Sequence, residues 1–187
     1  MIHMVQNQTN LEFEILLCLA NGKTHLRELA RTVHAPHSTI MRRLDKLVSE
    51  NVLDCETVGK NKVFSIKKNL QAKAYLTMAE NYKLVKTIAK DPKLGLVLQD
   101  LLSAIDSPLI LLFGSYAKSI AKEDSDIDIY IETDETSVKK KAEALNSRLS
   151  VKIGPFDAKS PLINEIIKNH VIARGVDDFY EKTGYFT

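Results

Sequence analysis

Residues 111–131 read LLFGSYAKSIAKEDSDIDIYI. Leu109–Phe113 is a short apolar run of the buried-strand kind, opened by Pro108. It ends in Gly114-Ser115, a short helix is expected next, and then Ile127, Ile129 and Ile131 alternate with Asp126, Asp128 and Tyr130. Period two puts the isoleucines on one face and both aspartates on the other, with aspartate Cβ atoms roughly 7 Å apart. Gly114 lets the backbone approach a ligand closely. The peptide N–H groups after it favour anionic oxygens, and Ser115 adds a hydroxyl donor. Two carboxylates on one face suit Mg²⁺ or Mn²⁺, hard ions that take further ligands from water and phosphate. Gly-Ser alone is often a tight turn, and Asp-x-Asp alone is often a solvated edge. Strand, Gly-Ser, ten residues and Asp-x-Asp in sequence point instead to a site for a triphosphate and metal, of the kind in-line phosphoryl or nucleotidyl transfer requires.

Further along, Thr136–Leu149 reads as a helix and Val151-Lys152-Ile153 as a third strand. Pro161–Asn169 reads as another helix and Val171–Ala173 as a short strand before a terminal helical turn. Residues 108–187 therefore have an α/β or α+β pattern.

The stretch before it, residues 70–107, is helical and forms a connector. Tyr75, Met78, Tyr82 and Val85 make one apolar stripe, and Leu94, Leu98, Leu101 and Ile105 make another after Asp91-Pro92. Each stripe needs a cover, which is either a flanking domain or a second copy in a homodimer.

Residues 1–69 show helix periodicity and then strand periodicity. Leu11, Ile15 and Leu19 form a stripe that stops at Asn21-Gly22. Thr24 is expected to cap a second helix bearing Leu26, Leu29, Ala30 and Val33, and Ser38 a third bearing Ile40, Leu44, Leu47 and Val48. Leu53 and Cys55 then alternate, as do Phe64 and Ile66, around a turn at Gly59-Lys60-Asn61-Lys62. Three short helices and a hairpin follow the order of a winged helix-turn-helix. In that fold the third helix enters the major groove of DNA. Ser38, Thr39, Arg42 and Arg43 on that helix, with Lys60 and Lys62 at the wing, are the expected DNA contacts. The same basic residues also suit a merely solvated face.

The 187 residues carry a formal net charge of +2, which conceals a division. Residues 1–69 hold ten Lys+Arg against seven Asp+Glu, and residues 108–187 hold eleven against thirteen. A basic front and an acidic back fit two different jobs. The hydrophobic fraction of 44% excludes disorder as the main state. The longest apolar runs are far short of the roughly 20 residues that span a bilayer. The opening MIHMVQNQTN is polar and has no secretory pattern. Cys18 and Cys55, expected in apolar surroundings, are too few for a disulfide scaffold. A cytoplasmic protein is the expectation.

GSYAKS…SDIDIYI resembles the hallmark of the minimal nucleotidyltransferases of the DNA polymerase beta superfamily, usually written GSYARG…SDIDL. The resemblance covers about residues 108–180. The whole chain resembles archaeal and bacterial proteins in which a winged helix precedes such a domain. The resemblance implies a small mixed sheet with flanking helices, and transfer of a nucleoside monophosphate from an NTP to a hydroxyl acceptor with two Mg²⁺. It implies that Gly114 and Ser115 hold the triphosphate and that Asp126 and Asp128 bind metal. Lys118 is a further phosphate candidate. In related antitoxin-type members the acceptor is a protein side chain. Two departures stand out. Ser119 occupies a position usually held by Gly. The family's third carboxylate belongs on the next core strand, where this chain has Lys152; Asp157, flanked by Phe156 and Ala158, is the nearest substitute. Without that acid the domain is expected to bind nucleotide as a sensor or to serve as a dimerisation module in a transcription regulator.

Overall fold

The computed structural model describes residues 11–22 and 24–186; the polar opening decapeptide lies outside them. The chain divides into two compact units between Tyr82 and Lys83, with Phe186 belonging to the first. Among the described residues no helix is long and apolar enough to cross a membrane.

The first unit runs α1 (Leu11–Ala20), β1 (Thr24–His25), α2 (Leu26–Thr32), α3 (His37–Ser49), β2 (Leu53–Val58) and β3 (Asn61–Ile66). The strands form one antiparallel sheet in the order β1-β3-β2, which completes a winged helix-turn-helix. Ile40, Leu44 and Leu47 recur at helical spacing on α3 and are buried. Pro36 precedes α3 in extended conformation and sets its start. Ser38 lies inside the helix and so is not its cap. Thr24 is not a cap either. It pairs with Phe64 in β1, and its hydroxyl donates to Glu28 at 2.5 Å. The hairpin turn is shorter than expected: Val58 pairs with Asn61, leaving Gly59 and Lys60 at the tip, with Gly59 at φ +61°. Cys55 is exposed rather than in apolar surroundings.

Helix α4 (Leu70–Lys90) is crossed by the division between units. The Asn69 side chain caps it by accepting from the Ala72 N–H at 2.8 Å. Its buried apolar residues are Ala72, Leu76 and Ala79, not the stripe expected from sequence: Met78 and Val85 are exposed. Within the first unit, Tyr75 donates to Glu50 at 2.7 Å, a bond that pushes the phenol up to about 12.

The second unit continues with α5 (Pro92–Ala104), β4 (Ile110–Leu112), α6 (Gly114–Ala117), β5 (Ile127–Glu132), α7 (Thr136–Glu143), β6 (Leu149–Gly154), α8 (Pro161–Lys168), β7 (Val171–Arg174) and α9 (Val176–Lys182). The sheet order is β6-β5-β4-β7. β5 and β6 are parallel, whereas β4 is antiparallel to both β5 and β7. This is a small mixed sheet, and the chain as a whole is α+β. Ile127, Ile129 and Ile131 are buried with Leu94, Leu98, Leu101 and Ile105, the second expected stripe. α5 is held at both ends: Asp91 accepts from the Lys93 and Leu94 N–H groups, and Arg174 donates to the Leu102 and Ile105 carbonyls. α7 stops at Glu143, well before the expected Leu149, because residues 146–149 turn into β6.

The single turn of α6 closes on Ser119, which has φ +57°. Ser119 N–H bonds to the Tyr116 carbonyl and Ile120 N–H to the Ser115 carbonyl, a closure that normally places Gly in the left-handed position. The family's preference for Gly here thus has a backbone cause, and Ser carries the strain. Ser119→Gly is expected to raise the melting temperature by about 2–4 °C, as the left-handed strain is relieved in a domain of this size; a thermal melt checks this.

Candidate functional site

The β4–α6–β5 segment builds one concave corner. Gly114 sits at φ +66°, and a Cβ placed on it would lie 2.1 Å from Asp128 Oδ2. Only Gly fits, because the carboxylate fills the space that a side chain would need. The backbone fixes this approach, since the Phe113 N–H bonds to the Asp128 carbonyl at 2.9 Å. Ser115 follows in the first turn of α6, whose leading N–H groups have no intrahelical acceptor. Asp126 lies immediately before β5 and is exposed, while Asp128 is half-buried. Burial is the main cause raising the Asp128 carboxyl above its ordinary range. A Ser150 hydrogen bond opposes that rise, Asp126 and Glu165 add to it, and Lys152 counters them.

The register explains those neighbours. Parallel pairing sets Asp128 beside Ser150 and Tyr130 beside Lys152. Strand alternation puts all four on one face, opposite the buried isoleucines. The strand neighbour of the aspartates therefore carries a hydroxyl and an ammonium in place of a carboxylate. Asp157 does not fill the gap. It follows Gly154, beyond the end of β6 that pairs with Glu132, whereas Asp126 lies at the opposite end of β5. There its Oδ1 accepts from the Lys159 N–H at 2.9 Å, closing a turn. The structure thus does not bring Asp157 to Asp126 and Asp128. Lys118, expected at phosphate, pairs with Glu165 at 2.9 Å. Ser150 and Glu165 escaped the sequence reading, since only the β5–β6 register and the return of α8 bring them near Asp128.

Among the described residues no group of three His, Cys, Asp or Glu could hold a metal. Asp126 and Asp128 together fit one Mg²⁺ or Mn²⁺ whose remaining ligands come from water and phosphate, the usual way Mg²⁺ is held. The residues do not fit a site built on three carboxylates.

On α3, Ser38 and Arg42 are exposed and Thr39 is half-buried. Lys60 and Lys62 are exposed on the hairpin, and both line a groove with His37 and Met41. Five of the six expected DNA contacts therefore border the outer face of α3 or the wing. Arg43 does not. It turns inward to Glu12 at 3.0 Å, where Lys46 also pairs. That makes it a tie between α3 and α1.

A carboxylate pushed up by burial costs folded-state stability once ionised. The cost is fully present above the folded value and vanishes below the unfolded one, 3.8. Asp128→Asn is therefore expected to raise the melting temperature in metal-free buffer at pH 7, with the gain disappearing below that value. Melts across pH check this.

The family model described as polymerase beta, nucleotidyltransferase matches residues 99–175. No curated protein matches the chain. Among solved structures, the chain is similar to the transcriptional regulator BldR from Sulfolobus solfataricus, at 22% identity over 54% of this chain and 78% of that one, with TM-score 0.38. It is also similar to Sso10a-2, a DNA-binding protein from the same organism, at 18% identity over 49% and 93%, TM-score 0.38. AF1382 from Archaeoglobus fulgidus is similar at 18% identity over 44% and 91%, TM-score 0.37. At such TM-scores these likenesses add nothing to the winged helix already read from its own strands. The family match thus falls on the segment that forms the mixed sheet, and the residues before it fold as a winged helix-turn-helix.

Proposed function

We propose that this chain is a DNA-binding regulator whose second unit binds a nucleoside triphosphate with one Mg²⁺, and that nucleotide occupancy, rather than efficient turnover, is its output. The observation that carries this reading is Lys152 beside Tyr130 on the face that bears Asp128, with no third acid completing a metal-binding group among the described residues. Gly114 and the N–H groups after it receive phosphate oxygens, and Ser115 adds a hydroxyl donor. Asp126 and Asp128 hold the metal, which when bound would neutralise phosphate charge. Lys152 supplies a fixed positive charge toward the same phosphates. Among the described residues the acid that reaches toward Asp128 from outside the strands is Glu165, and it is engaged by Lys118 at 2.9 Å rather than held ready to take the proton from an acceptor hydroxyl, so the bound nucleotide persists. Arg42, Ser38, Thr39, Lys60 and Lys62 supply the DNA contacts.

A second reading is favoured by the family match: Mg²⁺-dependent transfer of the nucleoside monophosphate to a hydroxyl, on a protein acceptor as the resemblance implies. In that case the acceptor, or its protein, supplies the base.

One experiment separates the two. The full chain is incubated with α-labelled NTP, Mg²⁺ and a cell extract, and its DNA affinity is measured with and without NTP. The leading reading expects no label transfer, together with DNA affinity that changes on NTP addition and stops responding in Asp126→Ala. Label transfer that disappears in Asp126→Ala and Asp128→Ala would establish the second. For the DNA surface, Arg42→Ala is expected to weaken binding and lower the salt slope by about one. Arg43→Ala is expected to act mainly on stability. An unchanged salt slope in Arg42→Ala would contradict the assignment.

A further inference from the structure

The second unit contains a cavity of about 380 Å³ that the nucleotide site does not use. It is bounded by the end of α4, the start of α5, Tyr116 of α6, the segment 119–123 and Arg148 just before β6. Tyr116 belongs to the cluster that buries the isoleucine face of β5. Asp128 alternates to the other face of β5, and neither Asp126 nor Asp128 lines the cavity.

The charges in the cavity are unbalanced. Lys90, Lys93, Lys122 and Arg148 line it, against Asp91 and Glu123. Both acids are engaged. Asp91 caps α5 and accepts from the Tyr116 hydroxyl at 3.2 Å, and Glu123 pairs with Lys93 at 3.8 Å. Lys90 meets only the Ser119 hydroxyl, at 3.5 Å. Arg148 donates to the Ser125 carbonyl and the Tyr116 hydroxyl, both neutral acceptors. Lys90, Lys122 and Arg148 thus converge with no carboxylate partner among the described residues. Three like charges around a concave space repel one another unless an anion joins them. The volume lies within the range of small-molecule pockets and well above what a single inorganic ion fills. Pro92, Ala121 and the Tyr116 ring give the apolar wall that an organic body needs.

We infer that this cavity is a second small-molecule site, for a phosphomonoester of mononucleotide or sugar-phosphate size. Lys90, Lys122 and Arg148 receive the phosphate, and Pro92, Ala121 and Tyr116 face the organic part. The site is independent of metal, since its own cations supply the charge. It also adjoins the proposed nucleotide site, because Arg148 hydrogen-bonds the carbonyl of Ser125, the residue before Asp126.

The test is calorimetric titration of the full chain with AMP and with ribose 5-phosphate, in EDTA at physiological salt. Binding of at least one is expected, and binding of both would mean that the sugar phosphate suffices. The double variant Lys90→Glu/Lys122→Glu, which alters exposed side chains, is expected to weaken that binding by at least about tenfold through charge reversal. Asp126→Asn is expected to leave it within about twofold, because the carboxylate pair takes no part. The inference is overturned if neither compound binds at millimolar concentration. It is also overturned if binding survives the double variant, or if it is lost in Asp126→Asn. The last two results would place the phosphate elsewhere. Failure of Mg²⁺-NTP binding in Asp126→Asn with AMP binding intact bears only on the nucleotide site.

Discussion

The second unit depends on the absence of one atom. Asp128 Oδ2 occupies the space where a Cβ on residue 114 would stand, so strand β5 and the turn after β4 meet without an intervening side chain. That contact aligns a loop of free peptide N–H groups with a half-buried carboxylate. The chain takes a positive φ at Gly114 and, after one helical turn, a second at Ser119. The remaining geometry follows. The isoleucines of β5 face the α5 core, so both the aspartate and Tyr130 must face the other way, toward β6 neighbours set by the parallel register. Asp128 bears the electrostatic cost of this arrangement: burial and nearby acids raise its carboxyl, and only Ser150 and Lys152 relieve it.

Local signals made much of this legible. The period-two run at 127–131, the Gly-Ser pair and the Asp-x-Asp spacing define the corner locally, because a strand's alternation is a property of its own residues. The same holds for Ile40, Leu44 and Leu47 on α3 and for the α5 stripe. Long-range partners were not legible. Arg43 shares a helix face with plausible DNA contacts, yet Glu12, 31 positions away, draws it inward. Thr24 looked like a helix cap, but Phe64 across the sheet recruits it into a strand. The connector stripe through Met78 and Val85 failed for a related reason. The small residues Ala72 and Ala79 allow close packing on a face that a hydrophobicity count undervalues.

Asp157 is the most instructive case. Its apolar flanks match the pattern of an inward-facing acid, but direction decides its place. A parallel β6 enters beside Asp128 and leaves at the far end, so the segment that directly follows Gly154, Asp157 included, starts away from the aspartates. What stands beside them is Ser150, with Lys152 one pleat on. A hydroxyl and an ammonium in that position favour anions and supply no carboxylate, which is the basis for proposing a domain that holds a nucleotide without efficient turnover.

The proposed nucleotide in the Gly114–Asp128 corner is read directly by backbone amide chemical shifts. Titrating the isotope-labelled full chain with ATP and Mg²⁺ should move the amides of 114–117 and 126–128 in a saturable way, and EDTA should reverse much of the change. Saturable shifts confined to other residues, or no shifts at millimolar ATP, would contradict it.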